Sequence, residues 1–362
     1  MIVPPHATRV LLILTVTFVF YLLVMDYILY SRMQNYSIRP IKSEKNYDGK
    51  LACDIDPFCV VTVKALVLDY PNLYILSPLA AVVDHVLHIS KSWTLITPNA
   101  ISGFHVLVAV LAGYFVSSRS LCERRIGVIL FEFRTWLDDL DGHVARMRKH
   151  ITGERSDVGS AGYWVDGICD GLGCIALMVG VYFFVTKNPI RRSYDKLPKI
   201  LPGLESQDIS AEIINKNMRK RFAWSKVLLI SGHLMIASVG WNRYISLYQN
   251  VLEADNTLLG IPKDELYIRQ SEIMRSGFFW VVAVAWRLIN FHSTMDYLLI
   301  AIFLDRLWVY SKLLKWFGYI VPLVVIYITE FHYLQTYAYV MRGSTEFAVT
   351  QETRNITALP NF

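Results

Sequence analysis

The stretches DDLDGHVAR at residues 138–146 and GYWVDGICD at residues 162–170 set four signature aspartates within two otherwise apolar segments. On helices, an offset of three between the first two and of four between the last two puts each pair on one face. Carboxylates at membrane depth are costly unless they are paired, hydrated or bound to a cation. Hard divalent cations prefer oxygen ligands, and such sites serve phosphoryl transfer. The predicted metal ligands are Asp138, Asp141, Asp166 and Asp170.

These stretches resemble the signature of the CDP-alcohol phosphotransferase family, DxxDGxxAR followed by GxxxDxxxD, at all eight specified positions. Two matching blocks are far more specific than one short motif. The resemblance implies a six-helix membrane core in which two divalent ions, Mn²⁺ or Mg²⁺, bridge the diphosphate of a CDP-linked donor. It also implies that Asp170 is the general base, because the acceptor hydroxyl would arrive there. By the same resemblance, the residues that bind CDP and phosphate are Gly142, Ala145, Arg146 and Gly162.

The connection between the two stretches departs from the family pattern. Residues 147–161 separate Arg146 from Gly162, whereas the family usually has a shorter connection. Extra length in a loop costs little closure entropy. A longer connection is similar to the sphingolipid branch of the family, which transfers phosphoethanolamine from CDP-ethanolamine to the primary hydroxyl of ceramide and releases CMP. The sequence leaves the role of this insertion open.

The composition predicts an all-α polytopic membrane protein. Hydrophobic residues make up 54% of the 362 residues, charged residues 18%, and the mean hydropathy is +0.36. Such a chain is too apolar for an ordinary soluble protein. The formal net charge of +6 does not indicate nucleic-acid binding, because Lys and Arg cluster at the ends of apolar runs. The expected contacts are with membrane lipids.

Apolar runs predict seven spans, an N-terminal anchor plus the six-helix core. No small-residue cleavage pattern follows the first run, so we interpret it as a retained helix rather than a signal peptide. An interrupted amphipathic stretch at residues 74–89 is expected to lie on the membrane surface. A Pro98-Asn99 pair followed by Ser102 is similar to the start of the family's first core helix. We expect four regions: anchor 1–30, luminal segment 31–98, catalytic membrane domain 99–340 and luminal tail 341–362.

Several polar and small residues in the predicted helices have structural interpretations. Glu132 and Arg134 are expected to form a salt bridge or to snorkel rather than to act in chemistry. His85 and His88 are interpreted as structural rather than as metal ligands. The sequence leaves open whether residues 275–304 form one helix or a broken pair. The glycines interpreted as helix-packing positions are Gly167, Gly171, Gly173 and Gly180.

The basic connections predict the orientation of the protein. Residues 119–125, 187–226 and 305–315 are rich in Lys and Arg and fall on one side of the seven spans, together with the N-terminus. The positive-inside rule makes that side cytoplasmic. The connection at residues 142–162 then lies on the other side, so the aspartates are predicted to face a lumen.

Other features fit a luminal side. Glycosylation sequons begin at Asn35 and Asn355. Cys53 and Cys59 form a disulfide there or remain free thiols. In the family that the chain resembles, glycerolipid members have a site on the cytosolic face, whereas the sphingolipid branch has its site in the Golgi lumen. We therefore expect a Golgi membrane protein, with the endoplasmic reticulum membrane as the alternative.

The leading functional prediction is synthesis of ceramide phosphoethanolamine by metal-assisted phosphoryl transfer. The alternative within the family is an ethanolamine- or cholinephosphotransferase that acts on diacylglycerol. An ion-coupled transporter is the alternative from another class, because intramembrane Asp and Arg also mark transport paths. The sequence shows no repeated halves, which counts against a transporter. The donor headgroup, the acceptor, the choice of Mn²⁺ or Mg²⁺, and homodimer formation are left open.

Overall fold

The structure is a computed structural model that describes residues 5–38, 63–93, 96–149, 160–188, 205–254 and 261–342. Within these ranges every regular element is helical, which confirms the all-α fold class. Several residues of interest lie outside the described ranges, and the predictions made for them stay predictions. They are Cys53, Cys59, Asn355, residues 150–159 of the insertion and residues 343–362 of the tail.

The described helices fall into a long N-terminal helix, a group of short elements and a set of core helices. The first two groups are α1 (Pro5–Asn35), α2 (Val63–Leu66), a π-helical turn (Asn72–Leu76), α3 (Ser77–Leu87) and α4 (Ile89–Ser92). The long core helices that follow are α5 (Pro98–Val116), α6 (Leu121–Lys149), α7 (Ala161–Lys187) and α8 (Glu205–Leu252). The last group is α9 (Lys263–Arg275), α10 (Gly277–Ile289), α11 (Phe291–Phe303), α12 (Leu307–Leu313), a second π-helical turn (Leu314–Gly318) and α13 (Ile320–Arg342).

Five helical runs among the described residues are long and apolar enough to cross a membrane, so the chain is a multi-pass membrane protein. They correspond to α1, α5, α7, α8 and the run 307–341. The two remaining predicted spans take other forms. α6 contains the predicted span but carries many charges along its 29 residues. Residues 275–304 form a broken pair, because Asn290 ends α10 and caps α11 by accepting a hydrogen bond from the Ser293 backbone N–H.

Close approaches between backbones organise α5, α6 and α7. A Cβ added at Gly180 of α7 would overlap the carbonyl group of Gly113 on α5. The packing interpretation is therefore confirmed for Gly180. An added Cβ at Gly167 or Gly171 would meet no described atom within 4 Å, so these two positions do not pack against another described helix. Gly173 has a different role, because it faces the Arg134 side chain rather than a helix backbone.

The N-terminal helix α1 is bonded to the core rather than simply attached to it. Asp26 accepts hydrogen bonds from the Tyr70 and Tyr74 hydroxyls at 3.1 and 2.6 Å and pairs with Arg287 of α10. Arg287 is fully buried and also donates to the carbonyl of Leu66 at 2.7 Å. Charged groups at membrane depth are expected to pair in this way.

Two contacts join helix ends that are far apart in the sequence. Arg124, at the start of α6, pairs with Asp305 after α11 at 2.6 Å. At the other end, Arg275 donates to the carbonyl of Tyr36, just after α1, at 2.7 Å. Each contact joins two connections that the seven-span threading puts on the same side of the membrane, and the two contacts fall on opposite sides.

Candidate metal centre

Helices α5, α6 and α7 bring a histidine and three of the predicted metal ligands together. One donor atom from each of His105, Asp138, Asp166 and Asp170 lies within 4.8 Å of the others. Asp138 comes from α6, and Asp166 and Asp170 come from successive turns of α7. His105 comes from α5 and was missed by the sequence analysis. The sequence did contain a signal for this residue, because an ionisable side chain inside an apolar span indicates a functional site.

The fourth predicted ligand, Asp141, borders this group. It is buried, and it accepts a hydrogen bond from the Ser102 hydroxyl at 2.5 Å. Its Oδ2 atom lies 3.9 Å from Nε2 of His105. Ser102 therefore fixes the carboxylate of Asp141 from α5, beside the cluster rather than within the group of four donor atoms.

The N-terminal ends of α5 and α7 lie together at this site. Thr97 caps α5 by accepting from the Ala100 N–H at 3.1 Å, with Pro98 at the first helical position. Ser160 caps α7 by accepting from the Tyr163 N–H at 3.2 Å. A Cβ at Gly162 would lie 3.8 Å from the Asn99 side-chain oxygen. The predicted position Gly162 is thus next to the first turn of α5. The positive ends of both helix dipoles favour an anion here.

Arg134 adds a positive charge to the centre. Its side chain is buried and forms an ion pair with Asp170, which confirms the expected salt bridge. The partner was not foreseen, because it is the candidate general base. A Cβ at Gly173 would lie 3.0 Å from Arg134 Nε, so this glycine leaves room for the guanidinium group. Glu132 makes no such pair within the described residues; it interacts electrostatically with Asp69.

The unpaired polar atoms of the centre fit a divalent cation. Within the described part of the chain, the Oδ1 atoms of Asp138 and Asp166 and both ring nitrogens of His105 have no hydrogen-bond partner. Buried polar groups without a partner are rare and cost about 1–3 kcal/mol each. Carboxylate oxygens and a neutral imidazole nitrogen are ligands that a divalent metal ion accepts. The donor set therefore suits the metal that the signature implies.

The predicted phosphate-binding positions line the end of α6. Arg146 lies one turn beyond Gly142, and a Cβ at Gly142 would come 3.1 Å from Arg146 Nη1. The glycine therefore leaves space for this guanidinium group. Ala145 is half-buried beside it. Lys64, on α2, interacts electrostatically with Asp166 and adds a cation that the sequence analysis missed.

The end of α6 also holds the short helices α3 and α4. His143 and Asp84 share a hydrogen bond of 3.1 Å, and Arg148 donates to the carbonyls of Ser90, Trp93 and others in that segment. Burial raises the pKa of Asp84, but hydrogen bonds with His143 and Ser90 outweigh it and lower the pKa to about 2. Arg148, at the start of the insertion, therefore joins the end of α6 to the segment that contains α3 and α4.

Comparisons with known proteins show what this chain is similar to. The family described as ceramide phosphoethanolamine synthase matches residues 1–343. A Drosophila melanogaster protein named ceramide phosphoethanolamine synthase is 45% identical over 294 residues, which cover 81% of this chain and 73% of that relative. No solved structure matches.

Proposed function

Because the chain belongs to the ceramide phosphoethanolamine synthase family, we propose that it transfers phosphoethanolamine from CDP-ethanolamine to the primary hydroxyl of ceramide and releases CMP. Family membership makes the chain a transferase of the CDP-alcohol phosphotransferase class and a membrane enzyme of sphingolipid synthesis. The donor, the metal and the roles of individual residues are the proposal. The observation that carries it is the cluster of acidic donor atoms and His105 at the meeting point of α5, α6 and α7.

The chain's own residues bind and orient the substrates in this mechanism. Asp138, Asp166 and Asp170 would hold the divalent metal, with Asp141 at the edge of the group. A bound divalent cation would neutralise charge on the diphosphate and on the departing CMP. Arg146 holds a phosphate oxygen through charge-assisted hydrogen bonds. The small residues Gly142, Ala145 and Gly162 allow the nucleotide to approach the backbone.

Asp170 accepts the proton of the acceptor hydroxyl as that oxygen attacks the phosphorus next to ethanolamine. The phosphorus–oxygen bond to CMP breaks as the new bond forms. Arg134 holds the carboxylate of Asp170 in one orientation through this ion pair. A general base must be oriented before it can reach the proton, so this ion pair supports the assignment.

Acidic side chains near a water-sized cavity of about 10 Å³ beside Arg134 support ethanolamine as the transferred headgroup. Asp296 lies at the cavity and interacts electrostatically with Glu132 and Asp69. Within the described residues, neither Asp296 nor Glu132 makes a hydrogen bond or ion pair. A primary ammonium group has three N–H donors for such carboxylates, whereas the quaternary ammonium of choline has none. The cavity is lined by Phe131, Arg134, Thr135, Cys174, Phe291, His292, Met295 and Asp296.

Replacement of Asp296 tests this headgroup assignment. We expect Asp296→Asn to raise the KM for CDP-ethanolamine about 10- to 150-fold, because a hydrogen bond to a charged group contributes roughly 1.5–3 kcal/mol. The KM for ceramide should stay unchanged. Steady-state kinetics of the purified enzyme measure both, and exposed Asp264→Asn is the matched control. A lower kcat with an unchanged KM for CDP-ethanolamine would remove Asp296 from the headgroup site.

The function itself is tested by product identification. Purified enzyme in detergent with Mn²⁺ or Mg²⁺ is given CDP-ethanolamine together with equal ceramide and diacylglycerol, and mass spectrometry identifies the phospholipid. We expect ceramide phosphoethanolamine. Phosphatidylethanolamine as the main product would keep the family chemistry but overturn the acceptor. Parallel reactions with CDP-choline test the donor in the same way.

We further propose that the site faces the lumen of the Golgi. The two contacts between helix ends agree with the seven-span threading, whose short basic connections indicate the cytoplasmic side. The four regions 1–30, 31–98, 99–340 and 341–362 remain the proposed organisation. Glycosylation at Asn35 or Asn355 would place these sequons in the lumen.

A further inference from the structure

We propose that His105 donates a ring nitrogen to the divalent cation of the metal centre, as a fifth side chain beside the four signature aspartates. This inference rests on the proposed function, because it assumes that the acidic cluster binds a metal. It goes beyond the signature, whose four metal positions are all aspartates on α6 and α7. His105 lies on a third helix, α5.

The position of His105 is imposed by close helix packing. A Cβ at Gly127 of α6 would lie 2.8 Å from the carbonyl oxygen of Ala112 on α5, so these two helices are in backbone contact. His105, two turns before Ala112 on the same face of α5, is 0% exposed. Ser102, one turn earlier, points the same way and bonds Asp141.

The neighbours of His105 are carboxylates at distances too long for hydrogen bonds. Nε2 lies 3.7 Å from Oδ1 of Asp138 and 3.9 Å from Oδ2 of Asp141. Two ligand atoms that bind one cation at about 2.1 Å each lie roughly 3–4 Å apart. These separations are therefore those expected of ligands that share an ion, and they are too long for direct hydrogen bonds between His105 and the two carboxylates.

Other buried histidines of the chain show what a structural role looks like. His143 shares a hydrogen bond of 3.1 Å with Asp84, and His332 bonds the Tyr248 hydroxyl. Both ring nitrogens of His105 lack a partner among the described residues. A fully buried imidazole whose nitrogens are both unpaired, beside a group of carboxylates, is explained by a ligand that is a cation.

The nitrogen ligand provides a spectroscopic test that does not depend on turnover. Mn²⁺ accepts imidazole nitrogen as well as oxygen and is paramagnetic, so it serves as the probe. The full-length protein is purified in detergent, stripped with a chelator and loaded with less than one equivalent of Mn²⁺. Pulsed electron paramagnetic resonance should then show coupling to a directly bound ¹⁴N nucleus. His105→Gln should lose this coupling and weaken Mn²⁺ binding at least about tenfold.

His233→Gln is the matched control. His233 is also buried and also has a ring nitrogen without a partner among the described residues, but it packs against Tyr319 away from the cluster. This variant should keep the ¹⁴N coupling. Thermal unfolding of the metal-free proteins checks that His105→Gln folds. A coupling that survives in folded His105→Gln, or that is absent from the unaltered protein, would overturn the assignment.

Asp138→Asn and Asp166→Asn separate failure of this inference from failure of the proposed function. Both should weaken Mn²⁺ binding strongly, since both supply carboxylate oxygens to the cluster. If they do so while His105→Gln binds Mn²⁺ normally, only the histidine assignment is wrong. If neither aspartate variant changes Mn²⁺ binding, the ion binds elsewhere and the metal-assisted mechanism is wrong as well.

Discussion

Asp170→Asn is expected to reduce kcat by about 10²–10⁴-fold while CDP binding stays nearly intact, because a positioned general base contributes that much to proton transfer. The amide keeps the size of the carboxylate and can still accept a hydrogen bond from Arg134, the residue that pairs with Asp170. The donor site should therefore survive. Single-turnover kinetics measure the transfer step, and equilibrium binding of CDP in the presence of metal measures the donor site.

Substitutions of two neighbouring aspartates serve as the comparison for this result. Asp166→Asn, one turn earlier on α7, should lower CDP binding and turnover together, because it removes a metal oxygen. Asp139→Asn, outside the signature, should keep both. If Asp170→Asn lost binding and turnover in the same proportion as Asp166→Asn, Asp170 would be a metal ligand only. The base would then have to be sought elsewhere in the centre.

Asp26→Asn is expected to destabilise the protein by about 3–5 kcal/mol, because it leaves the buried Arg287 without its counter-charge. Arg287 is 0% exposed, and Asp26 is the carboxylate with which it pairs. Asp26 also accepts hydrogen bonds from the hydroxyls of Tyr70 and Tyr74, so the substitution weakens several contacts between α1 and the core. Thermal unfolding in detergent, monitored by tryptophan fluorescence, should show a clearly lower midpoint.

Glu265→Gln is the matched control for this substitution. It also converts a carboxylate to an amide in an ion pair, but Glu265 is about half exposed and pairs with Arg269 one turn away on α9. An exposed pair of this kind contributes only about 0.3–0.5 kcal/mol. Equal shifts for the two variants would mean that the Asp26–Arg287 pair does not hold α1 to the core.

Local sequence features were sufficient for the fold class and for the carboxylates of the centre. Apolar runs determine which segments enter a membrane, because that preference is a property of composition over one helix length. The offsets of three and four within the two stretches determine which aspartates share a helix face. Asp138, Asp166 and Asp170 do meet, as those offsets and the signature implied. The sequence did not decide whether the chain breaks at Asn290, because capping depends on which of the competing local hydrogen bonds forms.

Other features depended on how helices pack, and no periodicity within one segment contains that information. Gly180 contacts Gly113 of α5, whereas Gly167 and Gly171, on the same helix as Gly180, face no described atom within 4 Å. Which glycine packs is decided by the rotation and crossing of α7 against α5. The placement of α7 relative to α6 likewise makes Arg134 a partner of Asp170 rather than of a neighbour on its own helix.

The chain by itself determined a multi-pass helical enzyme with an acidic phosphoryl-transfer signature, because composition and helical periodicity act within short segments. Only the tertiary structure decided that His105 joins the aspartates and that Asp26 neutralises Arg287, 261 residues later. Buried polar groups must be satisfied by whatever lies across the interface, and that partner is set by the packing of distant helices.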